Sequence, residues 1–287
     1  MALLQFEPLD APFGVAAYGV DLASGVDSET FRALADALYA NRILVIKDQH
    51  CDTEAYLAFG RQWGTPIRHV QEKIRLNGHP DLVAVGNVTR DPDDDIARNG
   101  AAFWHTDQSY ESDIATATML YAITMPATGG ETRIADMKAA YDDLGDAMKQ
   151  RIEGLSAIHG YGAASGRDGE RPVAPLSPEQ AALVPPVRHP LVRRHGVTGE
   201  KALYAVAGTP ITVDGLPESE ANELLATLKA HAVQDKYVHE HRYSVGDIAI
   251  WDTQMTLHSA KPIGRPEPGN ERLLWRISVR GTPAVYS

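Results

Sequence analysis

The 287-residue chain contains one cysteine, Cys51, and no long uninterrupted apolar run. A single cysteine excludes an internal disulfide and any cysteine-rich metal site, which agrees with a reducing compartment. No stretch reaches the roughly 18 apolar residues that a membrane-spanning helix needs. The first residues, MALLQFEPLDAPFG, lack the basic region and apolar core of a signal peptide. These absences predict a cytoplasmic protein that does not enter a membrane.

Positive charge is also scarce. The chain has 27 lysines and arginines but 38 acidic residues, which gives a formal net charge of −11. The chain has no lysine- or arginine-rich run. Because neutralisation of phosphates dominates the affinity of proteins for nucleic acids, this composition argues against a nucleic-acid partner. No glycine-rich phosphate loop stands between a predicted strand and helix, which leaves a Rossmann or P-loop site with little support. A small molecule is the expected partner.

The apolar content of 44% is enough for a sizeable core, and the length favours one domain over residues 1–287. Hydrophobic periodicity predicts a chain of many short strands and few helices. The predicted helices cover residues 28–39, 53–64, 135–155 and 217–232. The predicted strands cover residues 42–48, 81–88, 115–124, 187–195, 201–206, 236–244, 246–252 and 272–281. This pattern favours an antiparallel β sandwich or closed jelly roll over a parallel α/β sheet.

Two segments are expected to lie on the surface. Residues 162–186 are rich in glycine and proline and predict a long excursion, and loops of this length are usually functional lids or disordered. The acidic stretch RDPDDD at 90–95 predicts a solvated turn.

Two side chains able to bind a metal lie two residues apart in FWHTDQSY (103–110). In an extended chain, His105 and Asp107 point to the same side of the backbone. This tripeptide alone is weak evidence, because the chain has eleven histidines. The best third ligand is His258, which ends a β-like stretch after the polar turn WDTQ, although a surface histidine at a strand end would look the same. Two histidines and one carboxylate on one face of an ion are typical of non-haem ferrous oxygenases.

The remaining histidines offer weaker candidates. His239 and His241, in YVHEHRYS, share one face of a strand and could bind zinc, but no third partner accompanies them. The alternative interpretation of the chain as a zinc hydrolase has little support, because the sequence contains no HExxH signature. A non-catalytic β-sandwich binding protein would explain the strands without chemistry. The other histidines are expected at turns and element ends, mostly solvated or hydrogen-bonded locally: His50, His79, His159, His189, His195 and His231.

The stretch RLLWRISVR (272–280) reads as a two-sided strand, in which Leu274 and Ser278 share the parity of the three arginines. An extended conformation places Arg272, Arg276 and Arg280 on one face and apolar side chains on the other. The arginines could be exposed, or they could line the mouth of a pocket and pair with carboxylates in bidentate geometry. Because Arg272 and Arg276 would be about 13 Å apart along a strand, two separate anionic ligands fit better than one small one.

The chain resembles a known family, the Fe(II)- and 2-oxoglutarate-dependent dioxygenases of the taurine dioxygenase and 2,4-dichlorophenoxyacetate dioxygenase (TauD/TfdA) group. The resemblance covers nearly the whole chain and implies a double-stranded β-helix (jelly-roll or cupin-like) core with flanking helices, assembled as a homodimer or homotetramer. Five motifs carry it, in the order and rough spacing of the family: WHTDQSY, PATGGETRIADMKAAYDDL, HPLVRRHGVTGEKALY, HRYSVGDIAIWDTQMTLHSA and RLLWR.

The resemblance also implies a role for each matching residue. Fe(II) would be bound by the triad His105, Asp107 and His258. The distal carboxylate of 2-oxoglutarate would be held by Thr132 and Arg272. An anionic group of the substrate would be bound by Arg276, with His69 near it.

The implied reaction uses O2 and 2-oxoglutarate, which chelates the iron and is released as succinate and CO2. An unactivated C–H bond of a small anionic substrate is oxidised, most simply by hydroxylation. Desaturation or ring formation at the same iron centre is the alternative. The expected substrate is a sulfonate, an aryloxyalkanoate or an amino-acid-derived carboxylate.

Overall fold

The computed structural model describes residues 3–88, 93–163 and 173–286. Within these ranges the chain forms 17 β-strands and seven α-helices. The strands are β1 (Gln5–Pro8), β2 (Val15–Tyr18), β3 (Ile43–Ile46), β4 (Thr65–Pro66), β5 (Arg75–Leu76), β6 (His79–Gly86), β7 (Ala117–Thr124), β8 (Thr132–Asp136), β9 (Ser156–His159), β10 (Val187–Pro190), β11 (Val192–Arg194), β12 (Lys201–Leu203), β13 (Pro210–Val213), β14 (Val238–His241), β15 (Ile248–Asp252), β16 (Thr256–Ala260) and β17 (Leu273–Arg280). The helices are α1 (Ser28–Asn41), α2 (Thr53–Trp63), α3 (Asp95–Asn99), α4 (Met137–Asp142), α5 (Asp146–Ile152), α6 (Pro178–Leu183) and α7 (Glu218–Ala232).

A nine-stranded sheet dominates the architecture. Its strand order is β1-β2-β3-β15-β7-β17-β6-β5, with β4 paired to β17. A second sheet has the order β14-β8-β16, and two smaller sheets are β10-β9-β13 and β11-β12. Among the described strands only β2 and β3 pair in parallel. The prediction of a mainly β chain with few helices is therefore confirmed.

The nine-stranded sheet is buried on both faces. On one face Ile134 of the second sheet packs with Leu120 and Trp251. On the other face, Phe31 of α1 and Trp63 of α2 share a core with strand residues of the large sheet. Burial on both faces explains why β3 reads ILVI, an uninterrupted apolar run instead of an alternating one.

Three of the four predicted helices are confirmed as α1, α2 and α7. Asp27 begins α1 by accepting hydrogen bonds from the backbone amides of Glu29 and Thr30. The continuous helix predicted over 135–155 is wrong. Asp136 ends β8 and caps α4 with its side chain, and a break at 143–145 separates α4 from α5.

The predicted strands exist, but several are shorter or divided. The strand predicted over 187–195 is two strands, β10 and β11, because the pairing changes partner at Leu191. The Leu191 amide still donates to the Leu155 carbonyl beside β9, whereas its carbonyl accepts from the Tyr204 amide beside β12. The strand predicted over 236–244 begins with a 3-10 turn and is reduced to β14. Eight of the described strands were not predicted: β1, β2, β4, β5, β8, β9, β13 and β16.

Both predicted surface segments fall partly outside the described residues. Of residues 162–186, positions 164–172 are not described, and the described remainder contains α6, whose first turn is closed by a capping box between Ser177 and Gln180. Of the acidic stretch 90–95, positions 93–95 are described and Asp95 begins α3. None of the helices in the described ranges combines the length and the apolar content needed to cross a bilayer.

Candidate active site

Two histidines from distant parts of the chain lie opposite each other as a hydrogen-bonded backbone pair. His258 lies in β16, and His105 lies in the segment between α3 and β7. Each backbone amide donates to the carbonyl of the other residue at 2.9 Å. Their imidazole rings are 4.2 Å apart between centroids. This isolated antiparallel bridge fixes the two rings side by side.

A tight turn after β15 brings His258 to this position. The Asp252 carboxylate accepts a hydrogen bond from the backbone amide of Gln254 at 3.0 Å, and its backbone carbonyl accepts one from the Thr256 hydroxyl at 2.8 Å. The chain thereby leaves the large sheet at β15 and enters the second sheet at β16 within a few residues. The polar stretch WDTQ is therefore the connection that places His258.

The carboxylate of Asp107 completes a cluster of three possible metal ligands. Its Oδ1 lies 3.8 Å from Nε2 of His105, and its Oδ2 lies 3.5 Å from Nε2 of His258. The ligand atoms of the three residues all lie within 4.8 Å of one another. Within the described ranges, this is the one such group of three or more His, Cys, Asp or Glu residues. The structure therefore brings together the three residues that the sequence analysis proposed as iron ligands.

The protonation states of this cluster suit a cation. The Nδ1 of His105 lies 2.8 Å from the carbonyl of Phe103, an arrangement in which Nδ1–H donates and Nε2 carries the lone pair. Burial, with a contribution from the neighbouring His105, lowers the pKa of His258 to about 3, which keeps its imidazole neutral. Both rings can therefore act as nitrogen ligands at neutral pH.

Asp107 is buried but stays ionised. Burial alone would raise the pKa of its carboxyl group, but the Arg276 guanidinium, the two imidazoles and the Thr118 hydroxyl together hold that pKa well below its usual range. The Thr118 hydroxyl donates to Oδ2 at 2.9 Å, and Nη1 of Arg276 lies 3.3 Å from Oδ1. Asp107 is therefore an ionised carboxylate, held in place by two contacts, that could serve as a metal ligand.

The donor set fits a divalent iron. Two ligands about 2.1 Å from a common ion and at right angles to each other lie about 3 Å apart. The two separations of 3.5 and 3.8 Å require shifts of only a few tenths of an ångström at each side chain. Two neutral imidazoles and one carboxylate on one side of an ion leave its other positions open for small molecules.

A second charged group, Arg272, lies deep in the protein and has no carboxylate partner within ion-pair distance among the described residues. It is 3% exposed, and burial lowers the pKa of its guanidinium to about 10, so that it remains protonated at neutral pH. Its Nε donates to the carbonyl of Gly130 at 3.0 Å, and its backbone amide donates to the side chain of Asn87 at 2.8 Å. A buried cation held in this way calls for an anionic ligand.

Thr132 is also buried, at the start of β8. Its hydroxyl accepts a hydrogen bond from the Tyr243 hydroxyl at 3.0 Å. Tyr243 in turn interacts electrostatically with Arg272. The structure thus connects Thr132 and Arg272 through a tyrosine that the sequence analysis did not identify.

One cavity joins most of the candidate residues. We call it the central cavity, and it is lined by His69, His105, Asp107, Gln108, Arg272 and Arg276 together with apolar and aromatic side chains. Thr132 and His258 are not among the described residues of this lining. Two members of the candidate iron triad, His105 and Asp107, therefore share one cavity with Arg272 and with Arg276, and His258 joins them through its contacts with His105 and Asp107.

The alternative in which the arginines of β17 are exposed is wrong. Arg276 has a 13% exposed side chain and points toward Asp107, and Arg280 forms an ion pair with Glu111 at 2.6 Å. The predicted alternation itself is confirmed, because Ile277 packs on the helix side of the sheet and Leu274 packs between the two sheets.

His69 lies near Arg276 at the wall of the cavity. Its Nδ1 accepts a hydrogen bond from the backbone amide of Gln71 at 3.1 Å, and its ring lies edge-to-face with Tyr161 at 6.5 Å. Burial, followed by the positive charge of Arg276, lowers the pKa of His69 to about 3. A neutral imidazole at this position can hydrogen-bond a ligand without adding charge.

The other histidines do not form a second metal site in the described ranges. His239 and His241 lie side by side on β14, with ring centroids 5.6 Å apart, but no third ligand joins them. Three of the histidines expected to be solvated or hydrogen-bonded locally are buried: His159, His189 and His195. One of them, His195, does accept local hydrogen bonds from the backbone amides of Val197 and Thr198.

Several residues around the candidate ligands gave no signal in the sequence. Thr118, Asn87 and Tyr243 are distant along the chain from the side chains they contact. Each is a common polar residue inside or beside a strand. Only the fold shows that their hydrogen bonds converge on one site.

Comparison with known proteins assigns the family. Residues 5–278 match the family described as "Taurine catabolism dioxygenase TauD, TfdA family". The chain is 31% identical to the alpha-ketoglutarate-dependent 2,4-dichlorophenoxyacetate dioxygenase of Cupriavidus pinatubonensis, with 88% of this chain and 91% of that protein covered. It is 32% identical to the (S)-phenoxypropionate/alpha-ketoglutarate-dioxygenase of Sphingobium herbicidovorans, with 96% and 95% covered. A similar solved structure is AAD-2 in complex with Mn(II) and N-oxalylglycine, with a TM-score of 0.79, 27% identity and 98% of each chain covered. The chain therefore belongs to the taurine catabolism dioxygenase TauD, TfdA family.

Proposed function

We propose that the protein is an Fe(II)- and 2-oxoglutarate-dependent dioxygenase that hydroxylates an unactivated C–H bond of a small anionic substrate and releases succinate and CO2. One observation carries the proposal: His105 and Asp107, which form a cluster of possible metal ligands with His258, line the same cavity as a buried arginine, Arg272, that lacks an anionic partner among the described residues. A metal centre with open positions and a separate site for a carboxylate are the two features that this chemistry needs.

His105, Asp107 and His258 would hold the ferrous ion, which, when bound, supplies the activation of O2 that drives oxidation of the keto acid and the substrate. The chain contributes fixed ligands in defined protonation states. Thr118 and Arg276 hold the two oxygens of Asp107, and the Phe103 carbonyl orients the ring of His105. Such supporting hydrogen bonds set both the geometry and the basicity of metal ligands.

Arg272 and Thr132 are proposed to bind the distal carboxylate of 2-oxoglutarate. The supporting observations are the burial of Arg272, its fixed side chain and the hydroxyl pair formed by Thr132 and Tyr243. The similar structure that holds N-oxalylglycine adds weight, because that molecule carries two carboxylates like 2-oxoglutarate, with an amide carbonyl in place of the keto group.

Arg276 is proposed to bind the anionic group of the substrate, with His69 beside it. The Nε of Arg276 is buried and has no hydrogen-bond partner among the described residues. Since Nη1 contacts Asp107, an anion bound to the rest of the guanidinium would lie next to the metal ligands. The names of the two relatives point to aryloxyalkanoates, and sulfonates and amino-acid-derived carboxylates carry the same kind of anion.

We also propose that the two facing sheets form a double-stranded β-helix within a single domain spanning residues 1–287. The antiparallel pairing and the apolar core between the sheets support this architecture. The cytoplasmic location and the assembly into dimers or tetramers stay predictions from the sequence.

The test begins with anaerobic addition of Fe(II) and 2-oxoglutarate, which should produce a visible charge-transfer absorption. Admission of O2 with a panel of aryloxyalkanoates, sulfonates and amino-acid-derived acids should then produce succinate. Asp107→Ala should remove both signals. Asp113→Ala, at a carboxylate with a 68% exposed side chain, is the control and should keep both. Succinate formation at near-parental rates by Asp107→Ala would contradict the proposal.

The two arginines are separated by a second pair of variants. Arg276→Ala should lose affinity for the substrate while the complex with Fe(II) and 2-oxoglutarate still forms. Arg272→Ala should prevent formation of that complex at ordinary 2-oxoglutarate concentrations. Equal loss of both ligands in both variants would show that the two roles are wrongly assigned.

A further inference from the structure

Gln108 directly follows the metal-ligand candidate Asp107 and has an unusual backbone conformation. Its φ angle is +50°, in the left-handed region that non-glycine residues seldom adopt. The residue is 2% exposed and lines the central cavity with Arg276 and His69. A strained backbone persists only where the surrounding structure holds it, and such positions cluster at ligand sites.

The side chain of Gln108 has an unmet hydrogen-bonding group. Its Oε1 is enclosed and has no hydrogen-bond partner among the described residues. The same holds for the hydroxyl of Tyr110, two residues further along the chain, which is 6% exposed and lines the same cavity. Buried polar atoms are nearly always paired, and a carboxamide oxygen can only accept a hydrogen bond. The Gln108 side chain therefore presents an acceptor without a donor, and the Tyr110 hydroxyl beside it is unpaired among the described residues.

Aromatic rings lie next to these two groups. The rings of Tyr110 and Tyr161 pack edge-to-face with centroids 5.0 Å apart, and the rings of Tyr161 and His69 pack edge-to-face with centroids 6.5 Å apart. Arg276 acts electrostatically on both tyrosines, so its guanidinium lies close to them. One region of the cavity thus combines a cation, a flat aromatic surface and a hydrogen-bond acceptor.

We propose that Gln108 and Tyr110 form a hydrogen-bonding subsite that selects substrates carrying an N–H or O–H group close to their anion. This inference rests on the proposed function and defines its substrate class more narrowly. The anion would bind Arg276, an aromatic ring would pack on Tyr110 and Tyr161, and the donor group would bond to Gln108. Aryl-substituted amino acids meet these three conditions, whereas an aryl ether acid offers an oxygen without a hydrogen.

A matched pair of acids tests the subsite. N-phenylglycine and phenoxyacetate have nearly the same size and the same carboxylate, and they differ by an N–H group in place of an ether oxygen. We expect kcat/KM for succinate formation to be about 10-fold or more higher for N-phenylglycine, because an acceptor left unpaired penalises the ether. Binding of both acids to the anaerobic complex with Mn(II) and 2-oxoglutarate, measured by calorimetry, should show the same preference without turnover.

Variants assign the preference to the two residues. Gln108→Met keeps the length of the side chain and removes the acceptor, so the ratio between the two acids should fall toward one. Tyr110→Phe should reduce it in part. Gln71→Met is the matched control, since Gln71 lines the same cavity but its amide already donates to the carbonyl of Ala174 at 2.7 Å. It should leave the ratio unchanged.

The possible results separate this inference from the proposed function. A ratio of kcat/KM between N-phenylglycine and phenoxyacetate near one in the parent enzyme overturns the proposed subsite. A preference for phenoxyacetate, which is expected if the amide nitrogen of Gln108 faced the ligand, overturns it as well. Both conclusions hold whatever the variants show. Failure of both acids to bind while the charge-transfer complex still forms also overturns it. Failure of that complex to form refutes the proposed function instead.

Discussion

The hydroxyl of Thr118 offers a direct measure of how the protein supports its metal ligands. Thr118 is 0% exposed, lies on β7 and donates to Oδ2 of Asp107 at 2.9 Å. Thr118→Val replaces this hydroxyl with a methyl group of similar size, so the core keeps its packing. Hydrogen bonds to charged groups contribute about 1.5–3 kcal/mol, and loss of a group that supports a metal ligand costs about 10- to 100-fold in affinity. Because Arg276 still contacts the other oxygen, we expect the lower end, about a 10-fold weaker affinity for Fe(II).

Anaerobic calorimetric titration of the apoprotein with Fe(II), repeated with Mn(II), measures this change. Thr118→Ser should restore most of the affinity, because it returns the donor. Ser278→Ala is the control, since the Ser278 hydroxyl lies 3.0 Å from that of Thr118 and makes no contact with Asp107 within hydrogen-bond distance among the described residues. The reasoning is refuted if Thr118→Val binds metal as tightly as the parent, or if Ser278→Ala weakens binding equally.

Two further predictions concern the 2-oxoglutarate site and the pH dependence of stability. Gly130→Ala should raise KM for 2-oxoglutarate about 10-fold, because its Cβ would lie 2.8 Å from Cδ of Arg272. Gly129→Ala is the control, because Gly129 has a similarly positive φ but an added Cβ would meet no atom within 4 Å. This variant should have the same backbone strain and an unchanged KM for 2-oxoglutarate. Equal effects of the two variants on KM would disprove the steric explanation. Burial lowers the pKa of His241 to about 3, below its ordinary value of 6.5, so its stabilising effect is present above pH 6.5 and is lost as the pH falls. Urea unfolding of the apoprotein at pH 6 and at pH 5 measures how strongly the free energy of unfolding depends on pH. His241→Phe should reduce this dependence by up to about 1.4 kcal/mol per pH unit. An unchanged dependence would show that His241 is not a buried neutral imidazole.

The sequence alone predicted those features of the site that depend on residues close together in the chain. Alternation along β17 correctly separated Arg276 from Ile277, because side chains of a strand point to opposite faces. The i, i+2 spacing of His105 and Asp107 correctly placed both near one point. The identification of His258 drew on the resemblance to a family, since spacing alone left a surface histidine equally open.

Long-range contacts account for most of what the sequence did not predict. The break in the helix predicted over 135–155 arises because Asp136 belongs to a strand and caps α4, which helical periodicity does not reveal. The burial of His159 depends on the sheet β10-β9-β13, two strands of which were not predicted. Gln108 directly follows the candidate ligand Asp107 in the sequence, but its positive φ appears only in the folded backbone.

The backbone bridge between His105 and His258 has a consequence for the assembly of the metal centre. The two imidazoles are aligned by amide-to-carbonyl bonds that need no ion, so a chain synthesised without iron can still reach its native arrangement. Because β16 follows the His105 segment only after nine intervening strands, the ligand set exists only once the chain between the two histidines has been made and folded. A chain that has not yet formed β16 therefore offers no complete triad that could capture the wrong metal.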